Sequence, residues 1–191
     1  MKVFNSPVIV LDTETTGLPH HEHARVIEVG AVLLDEDGCE QAHFETLVQP
    51  NVFNPRKAAK ALSITGISAE EVFAAPPERE AYRSFRAWFD ECGAPYVTAF
   101  NIAFDRKMLG KSGVYFDRWA NCIMLRAKGL MGPAGALPRK GKNGDWKWPK
   151  LSEASAFFRI EEPSGRAHRA LYDARVAARV ACEIARRGGV Q

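Results

Sequence analysis

A short apolar run that ends on acid constrains this chain more than any other stretch. Residues 8–18 read VIVLDTETTGL. The run is short and β-branched, with Thr15, Thr16 and Gly17 behind it as turn residues, a pattern that predicts a central strand buried on both faces. Side chains alternate along a strand, so Asp12 and Glu14 leave its carboxyl end on the same face. Two close carboxylates repel unless one is protonated or a cation lies between them. A divalent cation with oxygen ligands is the simplest relief. Taken alone, DTETTG reads better as a strand-to-turn transition with solvated acids and capping hydroxyls, since the pattern is short and common.

The rest of the chain supplies a sheet for that strand. Residues 26–34 (VIEVGAVLL) predict a second strand, Asp35, Glu36, Asp37 and Gly38 a hairpin turn, and residues 40–48 a third strand. The period then changes. A short helix is expected at 56–61. Residues 78–91 place Ala81, Phe85, Trp88 and Phe89 at helical spacing, a core face with Arg and Glu opposite. A strand at 96–100, a helix at 102–110, an extended segment near 117–122 and helices at 150–158 and about 169–187 complete the α/β pattern, a mixed sheet covered by helices. Residues 131–149, rich in Gly and Pro, predict a long loop of the kind that is often functional.

With 191 residues, 46% of them apolar, the chain is expected to form one domain, residues 1–191, around a sizeable core. A net charge of +3 does not by itself announce nucleic acid, so local clustering matters more. Cys39, Cys92, Cys122 and Cys182 lack metal-type spacing and read as reduced thiols of a cytoplasmic protein. No stretch has the length of a signal-peptide core or a membrane span, so no membrane partner is expected.

Two further places carry chemistry. In Asn101-Ile102-Ala103-Phe104-Asp105, directly after the strand at 96–100, Asp105 falls in the first turn of a helix. There a carboxylate is also favoured simply by the helix dipole. In His168-Arg169-Ala170-Leu171-Tyr172-Asp173, five positions turn a helix by about 500°, so His168 and Asp173 cannot share a helical face. If both serve one site, His168 lies in the loop before the helix and Asp173 in its second turn. Alone, His168 reads as a solvated or capping residue.

The ordered set DTETTG, VIEVGAV, ALSITGIS, NIAFD and HRALYDA resembles the DnaQ-like, or DEDDh, 3′–5′ exonucleases, from about residue 7 to residue 185. The resemblance implies an RNase H-like fold with a five-stranded mixed sheet flanked by helices. It also implies two Mg²⁺ or Mn²⁺ ions held by four acids. Asp12 would bridge both metals, Glu14 and Asp173 would hold the metal that binds the attacking water, and Asp105 would serve the second. His168 would be the general base, a role that suits an imidazole of pKa roughly 6.5. Two metals about 3.5–4 Å apart can clamp the attacking and leaving oxygens of an in-line phosphoryl displacement.

The resemblance also implies substrate contacts at Thr13, Thr16 and Gly17 and at Leu62, Ile64 and Thr65, where proofreading members often carry histidine in place of Thr65. Asn101 and Phe104 are further candidates, and Phe104 fits base stacking and the core equally. The stretch from Arg139 to Lys150 interleaves Trp146 and Trp148 with basic residues, a pattern for phosphates and stacked bases. It also fits a loop whose tryptophans fold back onto the body. His20, His21 and His23 read as a solvated loop rather than a zinc site, there being no cysteine nearby.

The leading expectation is a metal-dependent 3′–5′ exonuclease that releases nucleoside 5′-monophosphates from DNA in proofreading or repair, alone or with a DNA polymerase in trans. An exoribonuclease of the same superfamily and a non-catalytic nucleic-acid or polymerase-binding module are the competing expectations.

Overall fold

The computed structural model describes residues 2–140 and 144–189, except the side chain of Lys140. β1 (Val8–Thr15) pairs antiparallel with β2 (Val26–Leu34) on one side and parallel with β4 (Tyr96–Ala99) on the other. β3 (Glu40–Leu47) pairs antiparallel with β2, giving the order β3-β2-β1-β4. The strand that begins on acid-free apolar residues is therefore central, as its composition requires.

The period of two sorts the sheet residues into two cores. Val8, Val10, Val32 and Leu34 face one side, where α5 (Ile123–Met131), α6 (Leu151–Phe158) and α7 (Ala170–Ile184) cover them. Ile9, Leu11, Val29, Ala31, Val97 and Ala99 face the other, beneath α3 (Glu78–Cys92) and α4 (Ile102–Gly110). Fully burying an aliphatic or aromatic side chain of this size contributes about 1.5–3 kcal/mol. On α3 the expected face forms: Ala81 and Phe85 are buried, and Phe85 stacks on Trp88 and meets Phe44 at a tilt.

The structure corrects several expectations. The sheet has four strands, not five. The segment near 117–122 makes one isolated bridge, Val97 to Trp119, and beyond it is held to β4 by the Thr98 hydroxyl, which donates to the Asn121 carbonyl in place of a backbone ladder bond. The helix expected at 56–61 is α1 (Pro55–Thr65), capped by the Asn54 side chain. A capping box of Ser68 and Glu71 starts α2 (Ala69–Ala74). Neither α2 nor α5 was expected. Within 131–149, β5 (Arg139–Lys140) and β6 (Asp145–Trp146) pair as a small hairpin. Gly141, Lys142 and Asn143 lie outside the described residues. No helix among the described residues is long and apolar enough to cross a membrane.

Candidate active site

The parity of β1 assigns its polar residues to two walls. Asp12 and Glu14 continue the face of Val8 and Val10 and so meet α7. Thr13 continues the opposite face and meets α4, where its hydroxyl donates to the Asp105 carboxylate at 2.8 Å. Asp105 sits in the first turn of α4, as expected, and is 2% exposed. Asp173 lies in the first turn of α7, not the second, because the helix starts at Ala170. His168 belongs to the loop before it, exposed and with a left-handed backbone at φ 63°. That conformation is unfavourable for a residue with a Cβ by roughly 1–2 kcal/mol.

These residues converge. Ligand atoms of Glu14, His168 and Asp173 lie within 4.8 Å of one another. Burial raises the Asp12 carboxyl well above its ordinary value, and the charges of Asp105, Glu14 and Asp173 raise it further. Burial, then Asp173 and Glu28, pushes Glu14 up to about 8. Burial pushes Asp105 up to about 7 against the Thr13 hydroxyl and backbone N–H groups, which favour its charge. Asp173 is raised by burial and drawn back by His168. One buried carboxylate, Asp105, and three half-buried ones that resist ionising together are a donor set for hard cations, since clustered oxygen ligands gain most from a divalent charge.

β2 carries what brings α7 into place. Glu28, directly opposite Glu14 in the ladder, is 0% exposed. Its carboxylate accepts from the Arg169 Nε at 2.9 and 3.1 Å, from Nη2 of the same guanidinium, and from the Ala170 backbone N–H at 2.9 Å. A buried acid is thus neutralised by a forked partner and caps the first turn of α7. Gly30, opposite Asp12, leaves room for the helix: a Cβ there would stand 2.1 Å from the Leu171 nitrogen and 2.2 Å from the Ala170 carbonyl carbon. Sequence reasoning singled out neither residue for the site. The available signal was an acid and a glycine inside a strand that is otherwise continuously apolar.

The candidate substrate contacts divide. Thr16 is buried and ties the β1–β2 loop, its hydroxyl accepting from Arg25 N–H at 2.9 Å. Gly17 lies against His21. Thr65 is 2% exposed and its hydroxyl accepts from Ile67 N–H, so it closes α1. Leu62 is partly buried beside Ile27, Ile67 and Val72, while Ile64 is exposed. Gly66 receives the Arg166 guanidinium, which places the 62–66 segment beside the loop that carries His168. Asn101 is half-buried ahead of α4, and Phe104 packs against the α3–α4 core.

The hairpin tryptophans separate in the same way. Trp146 packs on Gly132 and under the Arg139 guanidinium, 4.0 Å from the ring centre, as an anchor of the hairpin. Trp148 is 62% exposed. The nearby cations are largely engaged: Lys128 with Asp145 at 2.6 Å, Lys147 with Glu153, and Arg139 with the Gly144 carbonyl. His20 meets His21 edge-on and His21 stacks on His23, with ring centres 4.4 and 5.4 Å apart, and their ligand atoms do not gather as those of Glu14, His168 and Asp173 do.

The fold has counterparts among known proteins. An uncharacterized exonuclease, CP81 of Escherichia phage 186, is 28% identical over 185 residues, which cover 94% of this chain and 89% of that protein. The nuclease domain of 3′hExo, a DEDDh family member bound to rAMP, shares the fold with a TM-score of 0.71 at 18% identity, covering 98% of this chain and 96% of that one. E. coli exonuclease I in complex with a dA16 oligonucleotide shares it with a TM-score of 0.64 at 19% identity, covering 90% of this chain and 39% of that one. The four-stranded mixed sheet with its helices is thus the RNase H-like arrangement of such exonucleases. The RNase T exonuclease family model matches residues 9–181, from the second residue of β1 to the last turns of α7, and this chain belongs to that family.

Proposed function

We propose that residues 1–191 act as one exonuclease domain that hydrolyses phosphodiester bonds from the 3′ end of DNA and releases nucleoside 5′-monophosphates. The observation that carries this reading is the convergence of Asp12, Glu14, Asp105 and Asp173 with His168 beside them. The fit to divalent cations rests on the donors themselves: buried and half-buried carboxylates, raised by desolvation and by one another, with no thiolate among them. Two Mg²⁺ or Mn²⁺ ions held by these four acids would supply charge that offsets the developing negative charge on the phosphate.

The chain's own residues do the rest. His168, at the exposed mouth, takes the proton from the attacking water as the water oxygen bonds to phosphorus. The bond from phosphorus to the 3′ oxygen of the preceding nucleotide breaks, and that oxygen leaves to be protonated from solvent. His168 then returns its proton to solvent, which its exposure permits. Thr13 fixes Asp105 by its hydrogen bond, and Arg169 and Glu28 fix the loop that presents His168. Thr16, Gly17, Leu62 and Ile64 are the proposed neighbours of the terminal nucleotide, and Trp148 has the open ring that stacking on a base requires. Action with a DNA polymerase in trans and a place in proofreading or repair belong to the same proposal.

A second reading, a 3′–5′ exoribonuclease, draws on the likeness to the 3′hExo domain bound to rAMP. Matched 5′-labelled DNA and RNA oligonucleotides, incubated with Mg²⁺ or with EDTA, separate the two. A Mg²⁺-dependent ladder shortening from the 3′ end of DNA, absent for Asp12→Asn, is the expected result. A ladder on RNA alone transfers the proposal to the second reading. A fully active Asp12→Asn enzyme refutes the site.

A further inference from the structure

A second concave site lies apart from the acids. A cleft of about 570 Å³ lies between α3, the residues after α4, and the end of the β1–β2 loop. Five cations line it: Arg25, Arg79, Arg83, Arg86 and Lys111. The one acid there, Glu78, is 8% exposed and accepts from the Asn51 N–H at 3.2 Å. Among the described residues none of the five cations makes an ion pair. Arg25 and Lys111 donate to backbone carbonyls of the β1–β2 loop, and Arg86 donates to the Tyr115 carbonyl. Burial and the charges of Arg25 and Lys107 lower the Lys111 amine. Five cations facing a single acid leave an excess of positive charge that favours an anion between them.

The shape indicates which anion. Arg79, Arg83 and Arg86 stand at i, i+4 and i+7 on α3, so they form one stripe about 10 Å long. A single phosphate does not span a stripe of that length, whereas a nucleic-acid strand carries a charge every ~3.4 Å. The cleft is also tied to the active-site elements. Arg25 N–H bonds the Thr16 hydroxyl, two residues beyond Glu14. Lys111 follows α4, about 9 Å along the helix from Asp105. We propose that this cleft holds the phosphate backbone of the substrate strand, away from the end that is cut. The proposal rests on the nucleic-acid reading above and adds a second footing to it.

The test uses Arg79→Gln combined with Arg83→Gln. Both side chains are exposed and, among the described residues, make no hydrogen bond or ion pair, and Arg79→Lys with Arg83→Lys is the charge-retaining control. Affinity for a single-stranded DNA of about 20 nucleotides is followed by fluorescence anisotropy in EDTA, from about 50 to 200 mM salt. The plot of log affinity against log salt should become shallower by about 1.4, since each lost phosphate contact releases ~0.7 fewer counterions. Hydrolysis of the p-nitrophenyl ester of thymidine 5′-monophosphate, too short to reach the cleft, should be unchanged with Mg²⁺. The Lys control should keep the wild-type slope.

A Gln variant with wild-type slope and affinity overturns the proposal. So does a variant that loses inorganic phosphate binding yet keeps the wild-type slope on the strand, which would make the cleft a free-anion site. Wild-type protein that cleaves neither the ester nor any oligonucleotide refutes the exonuclease reading itself, and the cleft proposal with it.

Discussion

Gly30→Ala changes one hydrogen to a methyl group, yet it acts on the contact that seats α7 on the sheet. The added Cβ would lie 2.1 Å from Leu171 N, 2.2 Å from Ala170 C and 2.5 Å from Leu171 Cα. All three neighbours are backbone, so no side chain can swing aside. Moving the nearest atom out to an ordinary contact of 3.4 Å requires a retreat of about 1.3 Å. β2 is paired on both edges, with β1 and with β3, so the helix start is the part that yields. It carries Asp173, and the loop ahead of it carries His168. A misplacement of about 1 Å in a catalytic group can lower turnover by about 100-fold. Overpacking of this kind costs about 1–3 kcal/mol of stability, a fall in Tm of roughly 2–12 °C for a chain of this size. The assay is kcat on a labelled oligonucleotide with Mg²⁺, alongside thermal unfolding by circular dichroism. A folded Gly30→Ala protein with kcat within a factor of about three of wild type would refute the argument that Gly30 sets the position of α7.

The remaining predictions concern charge and packing. Glu28→Ala leaves Arg169 and the Ala170 N–H without their acceptor and should cost about 3 kcal/mol in urea unfolding, the low end for a broken buried pair because Arg169 retains some exposure. A cycle with Arg169→Ala should show coupling above about 0.5 kcal/mol, and additive losses would refute the clamp. Because the folded-state value of Glu14 is raised to about 8 from 4.5, its contribution to stability is full below the lower value and is lost as pH rises through the upper one. In EDTA, Tm should therefore fall between about pH 5 and pH 9, and Mg²⁺ should raise it most at the alkaline end; a Mg²⁺ effect larger at the acid end would contradict the assignment of these acids as ligands. Trp146→Ala should lower stability by about 3 kcal/mol, through the lost packing on Gly132 and Arg139. Trp148→Ala should change stability by less than about 0.5 kcal/mol and weaken single-strand binding by about 1–3 kcal/mol. Unchanged binding by Trp148→Ala would remove it from the substrate site.

Much of this protein was legible in the chain because its determinants are local. A β-branched run and a period of two suffice for β1 and for the shared face of Asp12 and Glu14. A strand followed directly by a helix suffices to put Asp105 in a first turn. Steric limits on a helix suffice to send His168 into the loop ahead of Asp173. Where neighbours in space had to be known, sequence was silent or open. Whether Phe104 and Trp146 stack on bases or pack inward depends on what lies across from them, the α3–α4 core in one case and Gly132 with Arg139 in the other. The 117–122 segment has strand character, yet it meets β4 through the single bridge from Val97 to Trp119 and a side-chain bond from Thr98.

The sequence by itself determined the sheet's central strand and the two faces of that strand, since backbone periodicity is a property of each segment alone, whereas the full set of acids was implied by the resemblance of its ordered motifs to a known family. Only the tertiary structure decided how those acids meet: Glu28 and Arg169 lie 141 residues apart, and Gly30 makes its closest approach to Ala170 and Leu171. Contacts across such separations carry no periodic signal along the chain, because what selects Glu28 and Gly30 is the helix that arrives on them after the chain has closed.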